Sequence, residues 1–204
     1  MICNIICFTD KGEELANRIV NSFSLDGNNK DKYIVNRCKD GELSELTRKA
    51  FVEGQAIIFI GAAGIAVRAI APFINSKLSD PAVIVIDELG NNIIPILSGH
   101  MGGANELAIS IRDNLCTASH VAITTATDVE GKFSIDLWAK KNGLCIYNKS
   151  GIKYVASKIL KDEEVNIDIE LILNQNLYDK KNITSDIYNI VNEKLLKMKS
   201  KINN

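Results

Sequence analysis

Several features are scarce or missing in this chain of 204 residues. No apolar run approaches the roughly 18 residues that a membrane-spanning helix requires, which excludes that class. The opening Met1-Ile2-Cys3-Asn4-Ile5-Ile6-Cys7 has neither the basic lead nor the longer apolar stretch of a secretory signal. Net charge is nearly absent, with 24 Lys+Arg against 25 Asp+Glu, so a surface that is wholly a nucleic-acid footprint is excluded as well. A cytoplasmic protein with neither a membrane nor a nucleic acid as partner is expected. The cysteines number five, an odd count without any C-x-x-C spacing, as suits a reducing compartment. Cys3 and Cys7 fall in one predicted strand, where four residues separate Cα atoms by roughly 13 Å. A disulfide spans at most about 7 Å. The cysteines therefore read as small buried hydrophobes, and a cysteine metal site is excluded.

What is present is a globular composition, 46% hydrophobic and 24% charged, in a length that allows one large domain or two small ones. The charge is uneven. Residues 55–128 hold nine charged side chains in 74 positions, about 12%, together with all three prolines, both histidines and six of the thirteen glycines. Residues 21–49 and 148–204 are rich in Lys, Asn, Asp and Glu and read as solvated periphery.

Hydrophobic periodicity alternates between strand and helix. Residues 2–8 predict a strand. A helix follows to about Phe23, opened by Asp10 with Glu13 as a capping box. Strand 33–35, helix 43–52 and the continuous apolar strand 56–60 come next. Strand 82–86 pairs through the 89–91 turn with strand 92–97, which Pro95 places at an edge because it cannot donate to a ladder. Then follow helix 103–115, strand 120–124, helix 136–142, strand 144–147, helix 152–161, strand 165–169 and helix 185–199. The fold class expected is α/β, a largely parallel sheet flanked by helices in three layers, with a smaller α/β middle region. Residues 1–135 form the expected N-terminal domain and 136–204 the middle region packed on it.

Three loops could carry chemistry. The first runs from Phe59 to Arg68, where Gly61 and Gly64 lie between a strand and a helix start, an arrangement that admits an anion or simply tight packing. It is neither G-x-G-x-x-G nor a P-loop. The second is Leu97-Ser98-Gly99-His100-Met101-Gly102-Gly103-Ala104-Asn105-Glu106. A histidine among three glycines has the parts of a hydrolytic site, and in the plainer reading Gly99 and Gly102 only make a tight turn. His100 would be the general base, the N–H groups of Gly102 and Gly103 the oxyanion donors, and Glu106 the orienting or second acid/base group. No serine or cysteine stands as nucleophile, so water is the attacker. The third is Ile123-Thr124-Thr125-Ala126-Thr127-Asp128, three hydroxyls and a carboxylate that either line a ligand site or cap a helix. His120 reads as structural. With all three loops at one sheet edge they would form a single cleft for an anionic, partly apolar ligand.

Four of these strings in order resemble the N-terminal region of the CbiG family of anaerobic cobalamin biosynthesis. They are residues 64–72, Ser79 to Asp87, Leu97 to Ala108 and Ile123 to Asp128, and the similarity covers about residues 55–147. The resemblance implies cobalt-precorrin 5A hydrolase activity, the opening of a δ-lactone on the corrinoid macrocycle with loss of a two-carbon unit as acetaldehyde. Substrate contacts would then come from Gly61, Gly64, Arg68, Ser98, Gly99, Asn105, Thr124, Thr125 and Asp128. No cofactor or resident metal is implied, because cobalt enters with the substrate; His100 could alternatively ligate that cobalt axially. Family members usually continue with a C-terminal domain, expected to be absent here and to act as a partner in cis or trans, and a second copy of the chain is the other expected partner. A non-catalytic corrinoid-binding half and a phosphate- or nucleotide-binding module stay open as alternatives.

Overall fold

The computed structural model describes residues 1–24, 31–115, 118–141, 146 and 148–165. The chain divides into two compact units, Met1–Ile152 and Lys153–Asn204. The predicted strands 144–147 and 165–169 and the helix 185–199 lie outside the described residues, wholly or nearly so.

The first unit contains a six-stranded sheet. Its elements are β1 (Ile2–Cys7), α1 (Asp10–Ser24), β2 (Lys32–Arg37), α2 (Leu43–Val52), β3 (Ala56–Ile60), α3 (Ala63–Ile70), β4 (Val83–Ile86), β5 (Asn92–Leu97), α4 (Ala104–Leu115), β6 (His120–Val121), α5 (Ala126–Val129) and α6 (Ile135–Lys141). A further helix, α7, spans Lys149–Leu160. The strand order is β2-β1-β3-β4-β5-β6. β1 pairs in parallel with β2 and β3, β3 with β4, and β5 with β6, whereas β4 and β5 are antiparallel.

The apolar runs of β1, β3 and β4 follow from burial on both faces. Successive strand residues point to opposite faces. Accordingly Ile58, Ile60, Ile84 and Ile86 pack with Leu15, Ala16 and Ile19 of α1 and with Leu107, Ala108 and Ile111 of α4. Ile57, Phe59, Val83 and Val85 pack with Ala50 and Phe51 of α2 and with Ala66 and Ile70 of α3. The result is helix, sheet and helix in three layers. Each fully buried isoleucine or phenylalanine contributes about 1.5–3 kcal/mol of apolar transfer.

Local details depart from expectation at three places. α1 is capped by Thr9 rather than Asp10: the Thr9 hydroxyl accepts the Gly12 N–H at 3.1 Å and its carbonyl accepts the Glu13 N–H at 3.0 Å. Asp10 is already helical and pairs instead with Arg37 at 3.0 Å. β5 is not the edge strand, because β6 covers it at Asn92 and Ile93. That pairing stops before Pro95, so the proline still lies where no outer ladder is required. α5 had no periodic signature, being four residues long. As expected, Cys3 and Cys7 are buried thiols in β1, and burial pushes the Cys3 thiol up to about 12.

The reversal of β5 decides where chemistry can gather. In β1, β2, β3 and β4 the carboxyl ends lie together, carrying the loops at Phe8, Cys38, Gly61 and Asp87. Register runs Ile60 beside Ile86 and Ile86 beside Ile93, while Val83 sits beside Leu97. The carboxyl end of β5 is therefore at the opposite end of the sheet from Gly61. β6 is parallel to β5, so its exit toward Thr124 and Thr125 shares that opposite end.

Candidate active site

The expected single cleft is thus two separate places. The loop 98–103 and the segment 124–128 meet at one end of the sheet, and the Gly61–Gly64 loop stands at the other. Arg68 does not bridge them: its guanidinium turns back to donate to the Gly64 carbonyl at 3.0 Å. Gly61 (φ +154°) packs its bare Cα against the Phe8 ring, where a Cβ would come within 3.1 Å. These residues serve the start of α3 and are removed from the His100 site. Arg68→Ala is therefore expected to leave turnover at His100 within about twofold, the effect of a surface change remote from the site. A tenfold loss in a steady-state assay would restore the one-cleft arrangement.

At the other end the chain makes a tight, strained loop. Ser98 adopts φ +55°, which costs a non-glycine residue of the order of 1–3 kcal/mol. Its carbonyl accepts the Ala104 N–H and that of Gly99 accepts the Asn105 N–H, each at 3.1 Å. The first two donors of α4 are thereby taken. Among the described residues the N–H groups of Gly102 and Gly103 donate to no protein acceptor. Asp80, buried in the segment before β4, accepts the Asn75 and Ser76 N–H groups at 3.0–3.2 Å and holds that segment in place beside Gly102.

His100 lies between two carboxylates. Nε2 is 3.1 Å from Asp128 Oδ2; Nδ1 is 3.2 Å from the Ser134 hydroxyl and 3.5 Å from Asp136 Oδ1. Ser134 donates its own proton to Asp136 Oδ1. The Asn105 amide donates to the same Asp128 oxygen at 2.6 Å and to the Thr125 hydroxyl at 2.9 Å. The side chains of His100 and Asp136 are 12% and 13% exposed and that of Asp128 is 24% exposed, so Asp128 is the solvent-facing member of the row. The Asp136 hydrogen bond raises the His100 pKa above its ordinary 6.5; burial opposes this, and the charges of Asp128 and Asp136 add to it. The same contact holds Asp136 well below the usual carboxylate range.

Of the residues expected at the site, the structure assembles His100, Ser98, Gly99, Gly102, Gly103, Asn105, Thr125 and Asp128. Thr124 is exposed beside them. Glu106 is also exposed, on α4, and the orienting place expected for it is filled by Asp136 and Ser134, since Nδ1 faces them. Asn105 is buried and its amide nitrogen donates to Thr125 and Asp128, so it positions that carboxylate. Asp136 and Ser134 went unread because Ser-x-Asp at a helix start is an ordinary capping pattern. Ser134 does accept the Trp138 N–H through its carbonyl at 2.9 Å. Among the described residues no cluster of three or more His, Cys, Asp and Glu is arranged to hold a metal. No described helix is long and apolar enough to cross a membrane.

Residues 45–128 match the family described as cobalamin synthesis G N-terminal, which takes in His100 and Asp128. Over those residues the chain is similar to the cobalamin synthesis G family. It is 37% identical over 175 residues to a cobalt-precorrin-5A hydrolase of Salmonella typhimurium, covering 82% of this chain and 48% of that protein. A protein of the same name from Priestia megaterium is 32% identical over 173 residues, covering 79% of this chain and 45% of its own. The chain thus spans about half the length of the curated relatives it matches. Among solved structures, a cobalamin biosynthesis protein G homolog from Sulfolobus solfataricus is similar at 23% identity and a TM-score of 0.47, over 99% of this chain and 70% of that one. Asp136 lies eight positions beyond the matched family segment.

Proposed function

We propose that the chain carries the acid–base site of a cobalt-precorrin 5A hydrolase, acting on an anionic cobalt-corrinoid. The observation that supports this most is His100, held between Asp128 and Asp136 in a glycine loop with two free backbone donors, in a family whose curated relatives bear that enzyme name. Lactone opening needs these parts. Water adds through its oxygen to the lactone carbonyl carbon and gives up one proton to an acceptor at the site. The N–H groups of Gly102 and Gly103 meet the oxyanion that forms. The ring C–O bond then breaks, its electron pair goes to the leaving oxygen, and that oxygen takes a proton from a donor at the site. Loss of the two-carbon unit as acetaldehyde follows from the freed hydroxyl. Its proton goes to the same acceptor, C=O forms, and the electron pair of the broken C–C bond is protonated on the macrocycle.

Axial ligation of cobalt by His100 would need an open nitrogen lone pair. Both ring nitrogens face protein oxygens, which favours the acid–base role. The test is incubation of the chain with cobalt-precorrin 5A and measurement of acetaldehyde, with a full-length relative as positive control. Acetaldehyde release is the expected result. A shifted corrinoid spectrum without acetaldehyde would overturn hydrolysis by this chain and leave a binding half. Neither signal would remove the corrinoid altogether.

A further inference from the structure

We infer that Asp136 is a positioning residue that fixes His100 as a charged, doubly donating ring, so that Asp128, not His100, is the group that takes the proton from water. The inference rests on the proposed hydrolytic reading and deepens it.

Hydrogen-bond accounting carries the argument. The Ser134 proton is committed to Asp136 Oδ1, so the Ser134 oxygen can only accept from His100 Nδ1, and Nδ1 must carry a proton. On the other side, Nε2 meets Asp128 Oδ2, an oxygen that already accepts the Asn105 amide. A carboxylate oxygen receiving two donors is satisfied when Nε2 also carries a proton. Both nitrogens then donate, and the ring is imidazolium with no lone pair to offer water. Asp128 keeps Oδ1 clear of any hydrogen bond among the described residues and is the most exposed of the three side chains. Water loses its proton to that oxygen. Oδ1 then gives that proton to the leaving oxygen, which restores the carboxylate, while the imidazolium stays charged 3.1 Å from Oδ2 and steadies it.

The other charges around the ring are accounted for. Lys140 of α6 donates from Nζ to the His100 backbone carbonyl at 3.4 Å. Glu106 of α4 is exposed, and Asp80 is turned to backbone N–H groups. The raised His100 pKa agrees with the geometry. Stability from a raised imidazole is fully present below its unfolded value near 6.5 and is lost as pH rises through the folded value. Stability from the depressed Asp136 is present above its unfolded 3.8 and is lost as pH falls through the folded value. The clamp is therefore complete from about pH 4 to pH 6.5 and begins to open above that.

The experiment is a proton NMR titration of the whole chain, which is clean because His100 and His120 are its only histidines. His120 is exposed and serves as the reference. His100 is expected to titrate above the ordinary 6.5, and Asp136→Asn is expected to lower its midpoint by about one pH unit or more. The pH–rate profile of the variant should shift in the same sense. Asp136→Glu, which keeps the charge, should recover most of the midpoint even if it folds less stably. A His100 midpoint at or below 6.5 would overturn the inference, as would one unmoved by Asp136→Asn in folded protein. Because the midpoint is read without substrate, a failed titration and a failed acetaldehyde assay are distinguishable.

Discussion

His100→Gln is expected to cut acetaldehyde release by on the order of 10²–10⁴-fold, the usual contribution of a positioned acid–base group. Glutamine retains an amide that can still donate toward Asp128, so the loop and its carboxylates keep a partner and the fold should hold. What glutamine cannot do is carry the positive charge that steadies Asp128. On the proposed reading the loss should appear in kcat, with KM little changed, because the ring would act through Asp128 on proton transfer. NADH-coupled reduction of the released acetaldehyde measures it. A rate within a few-fold of the parent would remove His100 from the chemistry, whichever carboxylate is the base.

The second large effect falls on two glycines that look equivalent in the sequence and answer oppositely to alanine. At Gly102 a Cβ would stand 2.4 Å from Ser98 Cβ, 2.9 Å from the Ser98 carbonyl oxygen and 3.0 Å from the Ala82 nitrogen. Two of those three are backbone atoms that cannot swing aside, so Gly102→Ala should cost about 1–3 kcal/mol or more. For a chain of this size, thermal melting should fall by about 2–4 °C per kcal/mol. At Gly64 the only near atom is Arg68 Nη1 at 3.1 Å, the mobile tip of an exposed side chain. Gly64 lies inside α3, where alanine is the better helix former by about 0.5–1 kcal/mol, so Gly64→Ala should be neutral or stabilising. Equal melting temperatures for the two variants would contradict the packing described around Gly102.

That pair shows what the sequence disclosed and what it withheld. Periodicity finds which residues are buried and where an element begins. α2, β3 and β5 lie where the pattern put them, because a continuous apolar run or an i, i+3, i+4 stripe has few other ways to bury itself. The 89–91 turn likewise announced that β4 and β5 are antiparallel. The same turn implies that β3 and β5 exit at opposite ends of the sheet, and reading the three loops as one edge overlooks it. A pattern along the chain does not carry contacts that bridge 28 or 36 positions, as from His100 to Asp128 and to Asp136. Asp128 stood out because it closes a string of hydroxyls in a charge-poor block. Asp136 did not, since at the head of a helix a carboxylate already has a reason to be there. Thr9 and Asp10 show the same limit on a smaller scale, because either could cap α1 and only backbone geometry chooses.

The single reversed strand has a consequence for how the protein can change. In a wholly parallel sheet the reactive loops and the loops at the crossover between β1 and β3 would crowd one rim, and an insertion in any of them would disturb all. Here β5 carries the reactive groups to the far rim. Lengthening the chain at residues 39–41 or 61–63 should therefore spare the chemistry, while lengthening it by one residue between Ser98 and Gly103 should destroy it. The two rims can drift independently, one free to acquire a new contact while the other stays constrained by a histidine and its carboxylates.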